Sequence, residues 1–111
     1  MIKGFKGNIE TLTKENTNFR QVLYTAKDCQ LVLMSLLPGE EIGAEVHPDI
    51  NQFFRFESGE GRVVVNETEY TVKDGDAVIV PMGARHNVIN TAESESPKIY
   101  PIYAPPHHRD G

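Results

Sequence analysis

The sequence predicts an all-β protein, and three observations carry that expectation. Short runs rich in Val, Ile, Phe and Tyr recur at close intervals, Gly, Pro, Asn and Asp clusters separate them, and no connection between them calls for a helix. A chain of 111 residues, with 39% hydrophobic and 24% charged side chains, has the size and composition of one folded domain spanning residues 1–111. Either a sandwich or a closed or double-sheet barrel accommodates many short strands while protecting their edges.

In chain order, the opening stretch Thr11–Asn16 has weak apolar periodicity and is expected to form no more than a short helical turn. Strands follow over Phe19–Ala26 and Gln30–Leu37, the second stopped by Pro38-Gly39. A short strand around Ile42–His47 precedes a longer one over Gln52–Glu57, which ends at Ser58-Gly59-Glu60-Gly61. Arg62–Val65 and Glu69–Val72 flank the reversal Asn66-Glu67 and form a hairpin pattern. Asp74-Gly75-Asp76 and Pro81-Met82-Gly83 then bracket Ala77–Val80, and the last strands cover Arg85–Thr91 and Lys98–Ala104. The tail over residues 105–111 lacks strand character and is expected to be extended or partly disordered. On that reading His107, His108 and Arg109 are solvated or loosely docked. The alternative is that the tail folds back over the barrel mouth and presents a His or Arg109 to a substrate.

Charge and hydropathy exclude several functions. Sixteen acidic and 11 basic side chains leave a formal charge of -5, with no Lys/Arg run to neutralise a phosphate backbone, so no nucleic-acid partner is expected. The longest apolar stretch, Leu31–Leu37, falls far short of the ~20 residues of a membrane-spanning helix. Residues 1–8 show neither an apolar signal region nor a cleavage site, which gives a cytoplasmic location by default. Cys29 is the single cysteine, has no His near it in sequence, and is expected to be neither disulfide-bonded nor nucleophilic. Asn66-Glu67-Thr68 is read as a turn rather than a glycosylation site, and Gly59-Glu60-Gly61 lacks the third Gly and the helix of a nucleotide loop.

Certain polar residues interrupt otherwise apolar strands. Alternate side chains of a strand share a face, so Glu45 and His47 point the same way with Cα atoms roughly 6 to 7 Å apart. If the strand opened by Gln52 pairs antiparallel with the preceding one, Gln52 lies beside that face, with Phe54 and Phe56 on its own side. Each residue alone reads most simply as solvated surface. Together, an imidazole, a carboxylate and an amide oxygen are what a divalent cation of intermediate hardness takes as ligands. Phe54, Phe56, Val63, Val65 and Val88 read as core, Arg85 as solvated, and Asn90 either as a turn former or as a partner to His86.

The stretch Gly39–Gly59 resembles the first motif of the cupin family: Gly39, five residues, Glu45-Val46-His47, four residues, Gln52, six residues, Gly59. The stretch Gly75–Asn90 is similar to the second motif without departure: Gly75, five residues, Pro81, one, Gly83, two, His86, three, Asn90. In the first motif Glu45 stands where the commonest pattern has a His, and Gln52 stands where it has a Glu. Two imidazoles and one carboxylate remain, with an amide added, which preserves what a 2-His-1-carboxylate metal set requires.

The resemblance implies a cupin-type jelly-roll β-barrel, or double-stranded β-helix, in which Glu45, His47, Gln52 and His86 hold one divalent transition metal: Fe, Mn, Ni, Co or Zn. Open coordination positions then allow a metal-dependent enzyme of isomerase or dioxygenase type acting on a small oxygenated substrate such as a sugar or keto acid. The alternative is a non-catalytic small-molecule-binding or structural module, because the fold does not select the chemistry. The family also makes a homodimer the default assembly.

Overall fold

The computed structural model describes residues 2–108. Among them lie one helix, α1 (Ile9–Glu15), and nine strands: β1 (Arg20–Thr25), β2 (Gln30–Ser35), β3 (Glu45–Val46), β4 (Asn51–Ser58), β5 (Gly61–Val65), β6 (Thr68–Val72), β7 (Ala77–Val80), β8 (Arg85–Ile89) and β9 (Lys98–Ala104). The strands form two antiparallel sheets, ordered β1-β2-β9-β4-β7 and β3-β8-β5-β6, as the jelly-roll reading requires.

Helix α1 starts two residues before the predicted turn because Asn8 caps it, its side-chain oxygen accepting from the Thr11 backbone N–H at 3.0 Å. Glu10 and Lys14 pair at 2.9 Å one turn apart on the exposed face. Lys98 Nζ fastens the helix end to the sheet, donating to the Asn16 carbonyl at 2.6 Å and to Ser35 Oγ at 3.2 Å.

Period-2 burial runs along the strands. In β4, Gln52, Phe54 and Phe56 are buried while the residues between them are not. Phe54 and Phe56 join Val32, Met34 and Leu36 of the β2 region, Val63 of β5, Val88 of β8 and Ile99 of β9 in the core between the sheets. The two-residue loop between β5 and β6 turns at Asn66, whose φ of 53° lies in the left-handed region that Asn tolerates better than most side chains. Asn90 proves to be a loop clasp: its amide donates to the carbonyls of Leu36 at 3.0 Å and Glu95 at 2.8 Å and accepts from the Ala92 N–H at 2.8 Å.

One expected pairing does not form. β3 pairs with β8, whereas β4 pairs with β7 and β9 in the other sheet, so Gln52 is not a lateral neighbour of Glu45 and His47. The polar groups between them are taken elsewhere. The His47 carbonyl accepts from Gly83 N–H at 2.8 Å, and Asn51 Oδ1 accepts from Met82 N–H at 2.8 Å. Both bonds go to the Pro81–Gly83 turn, and the chain crosses from sheet to sheet instead of doubling back as a hairpin.

Gly59 and Gly75 both have positive φ, 96° and 88°, but their surroundings differ. A Cβ at Gly59 would lie 2.6 Å from Pro97 Cα, whereas one at Gly75 would meet nothing within 4 Å. Gly75→Ala is expected to cost about 1–2 kcal/mol from its backbone conformation alone. Gly59→Ala is expected to cost more, because a backbone clash adds to the same strain. Urea unfolding of the two variants checks the order, and equal losses would contradict it.

Candidate metal centre

The Pro81–Gly83 turn and the start of β8 set the position of His86. Its residue partner across the ladder is Glu45 of β3, so the two side chains leave neighbouring backbones on the same face. The Glu41–Gly43 segment is held to β8 by Asn87, which donates to Glu41 Oε1 at 2.9 Å and accepts from Gly43 N–H at 3.0 Å. His47 follows β3 directly, and its ring centroid lies 5.4 Å from that of His86. His47 Nε2 is 3.8 Å from Glu45 Oε1, with the Glu45 side chain at the rim, 43% exposed, and His47 beneath it at 11%.

His86 and Gln52 are each 2% exposed. The His86 Nδ1 lies 3.3 Å from the Ala84 carbonyl, which only accepts, an arrangement that suits the tautomer with its proton on Nδ1 and its lone pair on Nε2. Among the described residues that Nε2 has no hydrogen-bond partner, and neither has Gln52 Oε1. Phe54 shares the inward face of β4 with Gln52 and lies 6.3 Å, ring to ring, from His86, so both residues line one interior. Two lone pairs are thus buried there without a proton to accept. An unsatisfied buried polar group costs about 1–3 kcal/mol, and a cation is the partner that suits an imidazole nitrogen and an amide oxygen together. Those two acceptors are of the kind that a cation takes, while the ligand atoms lying within 4.8 Å of one another belong to Glu45, His47 and His107, a group that does not include His86.

The tail differs from its expected course. Residues 105–108 fold back on the barrel, where Gln30, fully buried at the start of β2, accepts from the N–H groups of His107 at 3.2 Å and His108 at 2.9 Å. The same amide donates to the His108 carbonyl at 2.6 Å and to Thr25 Oγ1 at 3.0 Å. His107 is thereby carried to His47, with ring centroids 4.3 Å apart, and a ligand atom from each of Glu45, His47 and His107 lies within 4.8 Å of the others. Arg109 lies outside the described residues. Sequence reasoning missed the role of Gln30 because a polar residue opening a strand has no signature for a partner 77 residues away. The only local hint was the pair of histidines itself.

Burial, and next the charge of Arg20, push His108 down to about 4, so its ring is neutral near pH 7. Partial burial and the neighbouring His47 hold His107 below the ordinary imidazole range. Burial raises the Tyr103 hydroxyl, which therefore stays protonated near pH 7. Cys29 is exposed and Arg85 is exposed, as expected for residues with no part in the site.

Comparison with known proteins agrees with this architecture. Residues 32–100 match the family profile described as Cupin domain. The chain is 45% identical over 115 residues to the uncharacterized protein YrkC of Bacillus subtilis strain 168, an alignment covering 98% of this chain and 61% of YrkC. It therefore spans less than two thirds of that relative's length. It is 36% identical over 107 residues to the uncharacterized protein L612 of Acanthamoeba polyphaga mimivirus, covering 94% of this chain and 67% of L612. The crystal structure of BH2720 from Bacillus halodurans superposes with a TM-score of 0.94 at 42% identity, covering 98% of this chain and 86% of that one.

The two orphaned lone pairs generate a test. Gln52→Met keeps the length of the side chain and removes its unpartnered oxygen. In the presence of a chelator it is expected to raise stability by about 1–3 kcal/mol, read from the denaturant midpoint. A loss of stability would show that Oε1 has a partner within the protein.

Proposed function

The chain belongs to the cupin family, and from that premise we propose that it is a metal-dependent cupin enzyme. One divalent transition metal is held by Glu45, His47, Gln52 and His86, and the substrate is a small oxygenated compound such as a sugar or keto acid. The observation that carries this reading is the pair of buried, unpartnered acceptors, Gln52 Oε1 and His86 Nε2, within the barrel that also holds His47 and Glu45.

Each residue has a separable task. His86, with Nδ1 against the Ala84 carbonyl, turns Nε2 to the metal, and His47 offers a second nitrogen beside it. Gln52 adds a neutral oxygen from the opposite sheet. Glu45 brings the negative charge and, at the rim, stays accessible to an entering molecule. Phe54 walls the inner side against water. A metal bound there supplies Lewis acidity toward a carbonyl or hydroxyl oxygen and, if redox-active, a route to dioxygen chemistry.

His47→Ala and His86→Ala are expected to abolish both metal content and turnover, measured by elemental analysis beside a screen of sugars and keto acids with dioxygen uptake recorded. Turnover without metal would contradict the proposal. Metal retained by the wild type with no conversion of any compound would favour the binding-module alternative.

A homodimer is the proposed assembly. Its support is an apolar row across the outer face of the larger sheet, where Ile79, Phe53, Ile102 and Leu31 stand side by side on β7, β4, β9 and β2. Ile79 is 67% exposed, an unusual position for a side chain of that kind. Light scattering is expected to give twice the 12.4 kDa chain mass for the wild type and the single-chain mass for Ile79→Lys. A wild-type monomer at micromolar concentration would overturn this assembly.

A further inference from the structure

We propose that the segment Ala104–His108 is a latch, locked by Gln30, that delivers His107 to the metal as a third imidazole ligand. This rests on the metal site of the proposed function and adds a ligand from outside both sequence motifs.

The case begins with Gln30. A side-chain amide has two N–H donors and two acceptor lone pairs, and all four are engaged here. Three of those bonds go to the backbone of His107 and His108, so a fully buried polar residue is devoted largely to the placement of two tail residues. Tyr103 strengthens the hold: the His108 ring meets it edge-on at 4.7 Å, and the His107 ring stacks on it at 5.8 Å. The tail's position is therefore set by a buried hydrogen-bonded anchor and an aromatic contact.

What the latch delivers is a metal-ligating side chain beside two others. Ligand atoms of Glu45, His47 and His107 lie within 4.8 Å of one another. Adjacent ligands on a metal with bonds of about 2.0–2.2 Å stand roughly 3 Å apart, a difference that side-chain rotation covers. His107 is an exposed residue overall, and its ring lies against those of His47 and Tyr103, the first of them a ligand of the proposed site. Glu45 occupies the motif position at which a histidine is commonest, and the ring brought in by the tail lies beside it.

The test uses the full chain loaded with cobalt(II), read by proton NMR of the shifted, exchangeable imidazole N–H signals, one for each coordinated histidine. Three such signals are expected for the wild type, from His47, His86 and His107. Two are expected for His107→Ala and for Gln30→Leu, with cobalt still bound and its affinity weakened at least about tenfold. Gln30 acts only by positioning, so loss of the same signal in Gln30→Leu, where His107 is intact, separates a latch from a bystander. If Gln30→Leu fails to fold, His107→Ala decides alone, since it alters an exposed side chain. Two signals and equal affinity in wild type and His107→Ala would overturn the latch while leaving the metal site standing. Failure of the wild type to take up cobalt would overturn the proposed function and the latch with it.

Discussion

Two buried lone pairs, Gln52 Oε1 and His86 Nε2, have nothing to accept among the described residues, and that constraint governs the site. In a barrel of this size the interior is lined by Phe54, Phe56, Val63, Val88 and Ile99, all essentially without solvent exposure. An amide oxygen and an imidazole nitrogen in that setting are destabilising unless a hydrogen-bond donor or a cation meets them. The surrounding features follow from that constraint. The Ala84 carbonyl faces His86 Nδ1, the Pro81–Gly83 turn is bonded to both His47 and Asn51, and Asn87 ties the β3 approach to β8. Each of these contacts restrains a group that a cation would need held still.

The strands and the core were legible because they depend on local pattern. Ala77–Val80 and Lys98–Ala104 fall where the sequence places them, and the other strands agree within a few residues, since apolar alternation and turn residues act over short distances. The alternation also put Gln52, Phe54 and Phe56 on one face correctly. Which strands become neighbours is a different matter. β3 and β4 are consecutive yet lie in separate sheets, because the hydrogen bonds of the link between them are claimed by a turn some thirty residues later. No pattern within the link itself announces that.

The tail shows the same limit more sharply. Pro105 and Pro106 exclude a strand, and from that local fact a solvated segment is the natural expectation. Its actual course is decided by Gln30, whose amide is worth little at a strand start but supplies a complete set of partners to two backbone positions near the other end of the chain. His107 thus comes beside His47 by long-range hydrogen bonding, while Glu45, His47 and His86 are placed by motif spacing and strand parity. The family membership of the chain describes the second group and is silent on the first.

The most direct measurement of the central claim is X-ray absorption at the metal edge of protein purified without added metal or chelator. The expected result is a bound first-row metal whose first shell contains only nitrogen and oxygen, with the multiple-scattering features of coordinated imidazole. Absence of a stoichiometric metal, or a sulfur scatterer pointing to Cys29, would contradict it.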